Sequence, residues 1–167
     1  MSLTKRFQTL AATGFLVGTL DGLAAIVNYV IAGGTDPARI FLFIASGVFG
    51  KEAVAENSQL AWWGVLFHYF IAFCWTVCYF MMYPKVALLA GNKYLSGTVY
   101  GIFVWLVMNL VVVPLSRTPP MPLTATRILV GAAILIVCVG LPLSLWHNNT
   151  AFFPYTRQRF CTLKALS

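Results

Sequence analysis

Residues 124–146 read TATRILVGAAILIVCVGLPLSLW. From Ile128 to Trp146 no side chain carries a charge. The hydrocarbon core of a bilayer is about 30 Å thick and is crossed by about 20 apolar residues in a helix. A surface helix of a soluble domain keeps one apolar stripe, whereas this segment is apolar all round. Working outward, residues 94–115, 60–83 and 7–33 have the same character. A fifth apolar piece, about 37–50, is too short to cross. It opens on Asp36-Pro37, a capping residue followed by proline at the first helical position. It ends at Lys51-Glu52 and is weakened by Gly47 and Gly50. The expected fold is an all-α membrane protein, with four transmembrane helices in an up-down bundle. A short helix after the first span lies at the interface or dips partway in, an ordinary capped loop helix being the alternative. Residues 1–167 read as a single polytopic membrane domain with a basic tail over 147–167.

Composition leads to the same class. Of 167 residues, 60% are hydrophobic and 9% are charged, against about 25% charged in an average protein; mean hydropathy is +0.83. A soluble enzyme, a nucleic-acid-binding domain and a disordered regulator are all excluded. Lys5 and Arg6 precede the first apolar run, as they would in a signal peptide. Asp21 interrupts that run, however, and no A-x-A pattern follows, so a retained first helix is expected. Cys74, Cys78, Cys138 and Cys161 form no C-x-x-C or Cys/His cluster and read as small buried hydrophobes.

Eleven basic residues against four acidic ones give a net charge of +7, and in a membrane protein such an excess reads first as orientation. With four spans both termini share a side. That side holds Lys5, Arg6, Lys85, Lys93, Arg157, Arg159 and Lys164. The other holds Arg39, Lys51, Arg117 and Arg127 with Asp36, Glu52 and Glu56. The positive-inside rule then places both termini in the cytoplasm. Trp62, Trp63, Tyr83, Tyr94 and Trp146 sit at span ends, as interfacial aromatics do. The loop from Pro84 to Lys93 is short enough for a tight antiparallel pair.

Helices in lipid pack through small residues. Span one carries Gly14, Gly18 and Gly22, continued by Ala25 and Ala32; span three carries Gly97 and Gly101. Span two has Ala61, Gly64, His68, Ala72 and Thr76 on one narrow face. Each stripe also bears the polar residue of its helix. Asp21 and Asn28 lie two turns apart on span one, His68 is mid-stripe on span two, and Asn109 continues Gly97, Gly101 and Trp105 on span three. Counting about 1.5 Å per residue, these groups fall at the midplane or in the outer half, with Arg127 near the outer start of span four. The inner half reads as almost wholly apolar. Asp21, Asn28, His68, Asn109 and Arg127 thus form a candidate ion, proton or ligand site that opens outward.

An ionisable side chain within a span costs at least about 2.5–3.5 kcal/mol on insertion scales and is a functional hypothesis by default. Asp21 can carry a proton when it has no partner, or stay ionised beside Arg127 or a charged His68, histidine being the residue type that can change charge near neutral pH. Mutual hydrogen bonding that merely holds the bundle together, at about 0.6 kcal/mol per pair, is the structural alternative. Haem is not expected, because His68 and His147 lie at different depths and cannot clamp one iron. No second ligand sits a turn from His68 for zinc or copper, and Thr76 is two turns away, too far to serve it as a nucleophile. The N-x-T at Asn148 reads as chance.

From span two onward the residues follow a known order. Trp63-Gly64-Val65 is followed by His68, Phe70 to Tyr79 and Tyr83-Pro84-Lys85; Val113-Pro114-Leu115 and Thr118-Pro119-Pro120 close span three. This order resembles the YagU-like bacterial inner-membrane proteins, a family without an assigned biochemical activity. A weaker glycine-rich echo lies in span one, and the external segments are shorter than is usual for that family. The resemblance implies a bacterial inner membrane, places His68 and Pro119-Pro120 in the shared part, and supplies no substrate. The expected function is movement of protons, ions or a small solute. The alternative is a non-catalytic accessory subunit that uses its glycine stripes against another protein. No enzyme activity, cofactor, metal or nucleic-acid partner is expected. Candidate partners are the bilayer, a second copy of the chain or other membrane subunits.

Overall fold

The computed structural model describes residues 3–83, 85–86, 89, 92–119 and 124–149, with residues 3 and 147–149 described by backbone alone. The basic tail past residue 149 with Cys161, the side chains of His147 and Asn148, Pro120, and much of the Pro84–Lys93 loop lie outside the described residues. All regular structure among the described residues is helical. In chain order it comprises α1 (Leu3–Ile31), α2 (Ala38–Phe49), α3 (Lys51–Glu56), α4 (Ala61–Met82) after a 3-10 turn at Ser58–Leu60, α5 (Lys93–Leu115) and α6, from Ala125 to Asn149. Thr4–Ile31, Ser58–Met82, Lys93–Leu115 and Ala125–Trp146 are each long and apolar enough to cross a membrane.

Local chemistry sets the helix ends. Asp36 Oδ1 accepts from Ala38 N at 3.0 Å, Asn57 Oδ1 from Gln59 N at 3.0 Å and Asn92 Oδ1 from Tyr94 N at 2.9 Å. Each bond satisfies an amide that a helix start leaves orphaned. Gly50, at φ +87 and ψ 159, occupies a region that is essentially glycine's alone and separates α2 from α3.

Two helices are interrupted in the same way. Met108–Val112 in α5 and Ile136–Gly140 in α6 are π-helical, and each stretch ends two residues before a proline, Pro114 and Pro142 respectively. Proline donates no N–H, and its ring clashes with the carbonyl four residues back, here that of Leu110 or Cys138. A wider i→i+5 turn relieves that clash while the helix continues.

Glycines set the close helix pairs. A Cβ on Gly14 would lie 2.6 Å from Phe73 Cδ1, one on Gly18 2.9 Å from Tyr69 Cδ1, and one on Gly22 3.1 Å from His68 Nε2. α1 therefore lies against α4 along the whole glycine stripe. On α5, a Cβ on Gly97 would lie 2.9 Å from the Gly140 oxygen and one on Gly101 2.6 Å from Ile136 Cα. α5 thus meets α6 backbone to backbone, and α1 also touches α6. Between α4 and α5 the gap is filled by rings instead: Trp75, Tyr79, Tyr100 and Phe103 interlock, with the Tyr79 and Tyr100 centroids 4.8 Å apart.

This half of the bundle departs from expectation. It was expected to be almost wholly apolar, yet Thr13, Thr76, Ser96 and Ser144 are buried in it. Tyr79 and Ser96 share a hydrogen bond of 2.8 Å, Tyr100 donates to the Trp75 carbonyl and Ser144 to the Lys93 carbonyl. Thr13 and Thr76 donate to carbonyls four residues back in their own helices, at 2.7 and 2.8 Å. A hydroxyl satisfied in this way is cheap to bury, and hydropathy counting does not register it.

α2 packs down onto α4. A Cβ on Gly64 would overlap the Phe41 carbonyl, Ala45 and Ser46 are buried, and Arg117 N donates to the Gly47 carbonyl at 3.1 Å, tying α2 to the segment after α5.

Candidate ligand cavity

The half of the bundle beneath α2 encloses a cavity of about 760 Å³, within the range of pockets that take drug-sized molecules. Its wall draws on five helices: Asp21 and Ala25 of α1, Phe41 and Ile44 of α2, His68 and Trp75 of α4, Met108 and Val112 of α5, and Leu135 and Val139 of α6 are among its lining residues. Trp75 closes it below, with Tyr100 packed behind that ring, and α2 covers it above. Both π-helical stretches contribute to the wall, through Met108 and Val112 in one and Val139 in the other. Four lining residues are exposed on the outer surface of the protein: Val48, Leu66, Phe70 and Val112, at 55%, 56%, 65% and 37%. The mouth is therefore apolar and opens sideways, among residues that would face lipid.

Among the described residues, Asp21 and His68 are the only ionisable side chains in this wall. Gly18 and Gly22 present bare backbone to α4, which lets the imidazole lie against α1 with its Nε2 at 2.8 Å from the Gly18 oxygen. A carbonyl only accepts, so Nε2 carries the proton and Nδ1 remains an acceptor in the neutral ring. The rings of Phe41 and Tyr69 hold the imidazole edge-on, with centroids 6.2 and 5.7 Å away. Tyr69 is fixed in turn by a 3.0 Å hydrogen bond to Thr19 and by stacking on Phe15. Asp21 lies within electrostatic range of His68 on α4 and of Cys138 on α6. Among the described residues its carboxylate makes no hydrogen bond or ion pair.

The five candidate residues do not all converge. Only Asp21 and His68 reach the cavity. Asn28 is exposed, because beyond His68 the face of α4 is taken by α2 at Gly64 and no longer by α1. Asn109 sits in the π-helical stretch of α5, where the regular four-residue spacing is broken, and its amide donates to the Trp105 carbonyl at 2.9 Å. Arg127 is exposed at the start of α6; Cys138, the α6 neighbour of Asp21, lies about three turns further on, roughly 16 Å at 1.5 Å per residue. An Asp21–Arg127 ion pair is therefore not formed. Among the described residues no group of three His, Cys, Asp or Glu is placed to hold a metal ion.

The apolar lining went unread at the level of sequence, because it is built from residues that look like ordinary span residues. The one signal pointing to it is the pair of prolines in the later part of their spans, Pro114 and Pro142, each following a stretch where the helix widens beside the cavity. Comparison of the chain with family models, with curated proteins and with solved structures gives no match.

Proposed function

We propose that the protein is an integral membrane protein, its four spans arranged as an up-down bundle, that binds one small, largely apolar molecule taken laterally from the bilayer. The observation that carries this reading is the cavity of about 760 Å³ with an apolar mouth, a largely apolar wall and, among the described residues, ionisable groups only at Asp21 and His68. Such a site suits a carrier or a binder of a small solute more than bare proton conduction, since its wall is largely apolar. The accessory-subunit reading has less to rest on: the α1 glycines that would dock a partner face Phe73, Tyr69 and His68 of the same chain. The positive-inside count and the resemblance to YagU-like proteins favour a bacterial inner membrane with both termini in the cytoplasm, and α2 as a helix set into the interface.

Native mass spectrometry of the full chain released from nanodiscs, with adamantane added as an apolar probe, tests the binding. Saturable binding of one molecule per chain is expected, and Ala25→Phe, which fills the cavity from α1, should abolish it. Absence of saturable binding, or equal binding by the Ala25→Phe variant, would overturn the reading.

A further inference from the structure

We infer that the cavity ligand is a lipophilic cation, an amine or onium compound, with Asp21 as its counter-ion. The inference rests on the cavity reading above and adds the charge of the occupant. Three observations meet in it. Among the described residues the cavity wall contains one carboxylate and no lysine or arginine, and that carboxylate has no hydrogen-bond or ion-pair partner there. An unpaired carboxylate in an apolar site is costly, and the cost is relieved when a cation arrives. The His68 Nε2–H does not serve that carboxylate, because it is given to the Gly18 carbonyl. Finally, Phe41, Phe67, Phe70 and Trp75 place aromatic side chains around the cavity. Such rings attract a desolvated cation through their quadrupoles without demanding a hydrogen-bonding head group. A neutral amphipath would leave Asp21 unpaired, and an anion would be repelled by it.

Three aryl probes of similar shape and different charge separate these cases: tetraphenylphosphonium, triphenylphosphine oxide and tetraphenylborate. Binding is measured calorimetrically to the full chain in lipid nanodiscs, with empty nanodiscs subtracted because all three probes partition into lipid. One tetraphenylphosphonium per chain is expected, bound at least tenfold more tightly than either of the others. Asp21→Asn should remove that preference while leaving the oxide's affinity within about twofold. Ala25→Phe should abolish saturable binding of every probe. Equal affinity for cation and neutral probe, or a preference that survives Asp21→Asn, overturns the charge assignment and leaves the cavity reading standing. No saturable binding by any probe, or unaltered binding by Ala25→Phe, overturns both. If the Asn variant does not fold, the ranking of the three probes on the unaltered chain decides the matter alone.

Discussion

At Gly64 a methyl group would overlap the Phe41 carbonyl, so Gly64→Ala has to lift α2 from α4. Overpacking of this kind costs about 1–3 kcal/mol. Hydrogen exchange should quicken across residues 38–49 and stay unchanged in α5, and unchanged protection in α2 would refute the contact. Gly18→Leu acts one helix away, where its side chain would displace Tyr69 and strain the His68–Gly18 bond. A similar loss is expected, read as a lower melting temperature in detergent. Arg127→Gln, by contrast, should leave stability within about 0.5 kcal/mol, as an exposed substitution does. A loss of several kcal/mol there would reinstate an ion pair with Asp21. The three polar residues that miss the cavity show what a residue-level reading omits. Depth and helical face were counted from an ideal α-helix, and both counts depend on which neighbour lies alongside. α2 displaces α1 from α4 at the level of Asn28, and the π-helical stretch interrupts the stripe that was to carry Asn109.

At the scale of elements, hydropathy located all four apolar helices to within a few residues, because length and apolarity are additive along a chain. It also found α2, through the Asp36-Pro37 start. The short α3 after Gly50 was missed, as was the π-helical widening of α5 and α6. Both widenings follow from proline chemistry at Pro114 and Pro142. A proline in a helix interior costs about 3 kcal/mol relative to alanine in model helices, so these two positions exchange stability for space. Pro114→Ala and Pro142→Ala should each hold or raise the melting temperature while weakening binding of an apolar probe, because a straighter helix narrows the cavity wall. Lowered stability with intact binding would mean that the prolines shape the fold and not the site. Hydroxyl burial in the opposite half was likewise illegible. A hydrophobicity scale charges for Thr13, Thr76, Ser96 and Ser144 without knowing which carbonyl receives each proton.

For the molecule as a whole, the proposed topology, with both termini in the cytoplasm, rests on the distribution of basic residues. A phosphatase fused to the C-terminus should stay inactive, and a fluorescent protein fused there should fold and fluoresce; periplasmic phosphatase activity would invert the assignment. On that proposed topology the α2 end, with its cavity, would lie toward the outer face and the hydroxyl-lined aromatic half toward the cytoplasm. The claim on which the functional reading turns is that the bilayer communicates with the interior beneath α2. Photolabelling of the full chain in nanodiscs with a membrane-dissolved alkyl diazirine, mapped by mass spectrometry, tests it most directly. Saturable labelling of Trp75 and Met108 is expected, abolished in Ala25→Phe, with Tyr100 beneath the aromatic floor unlabelled. Labelling confined to outward residues such as Leu129 and Leu115, with Trp75 and Met108 untouched, would contradict a cavity open to the membrane.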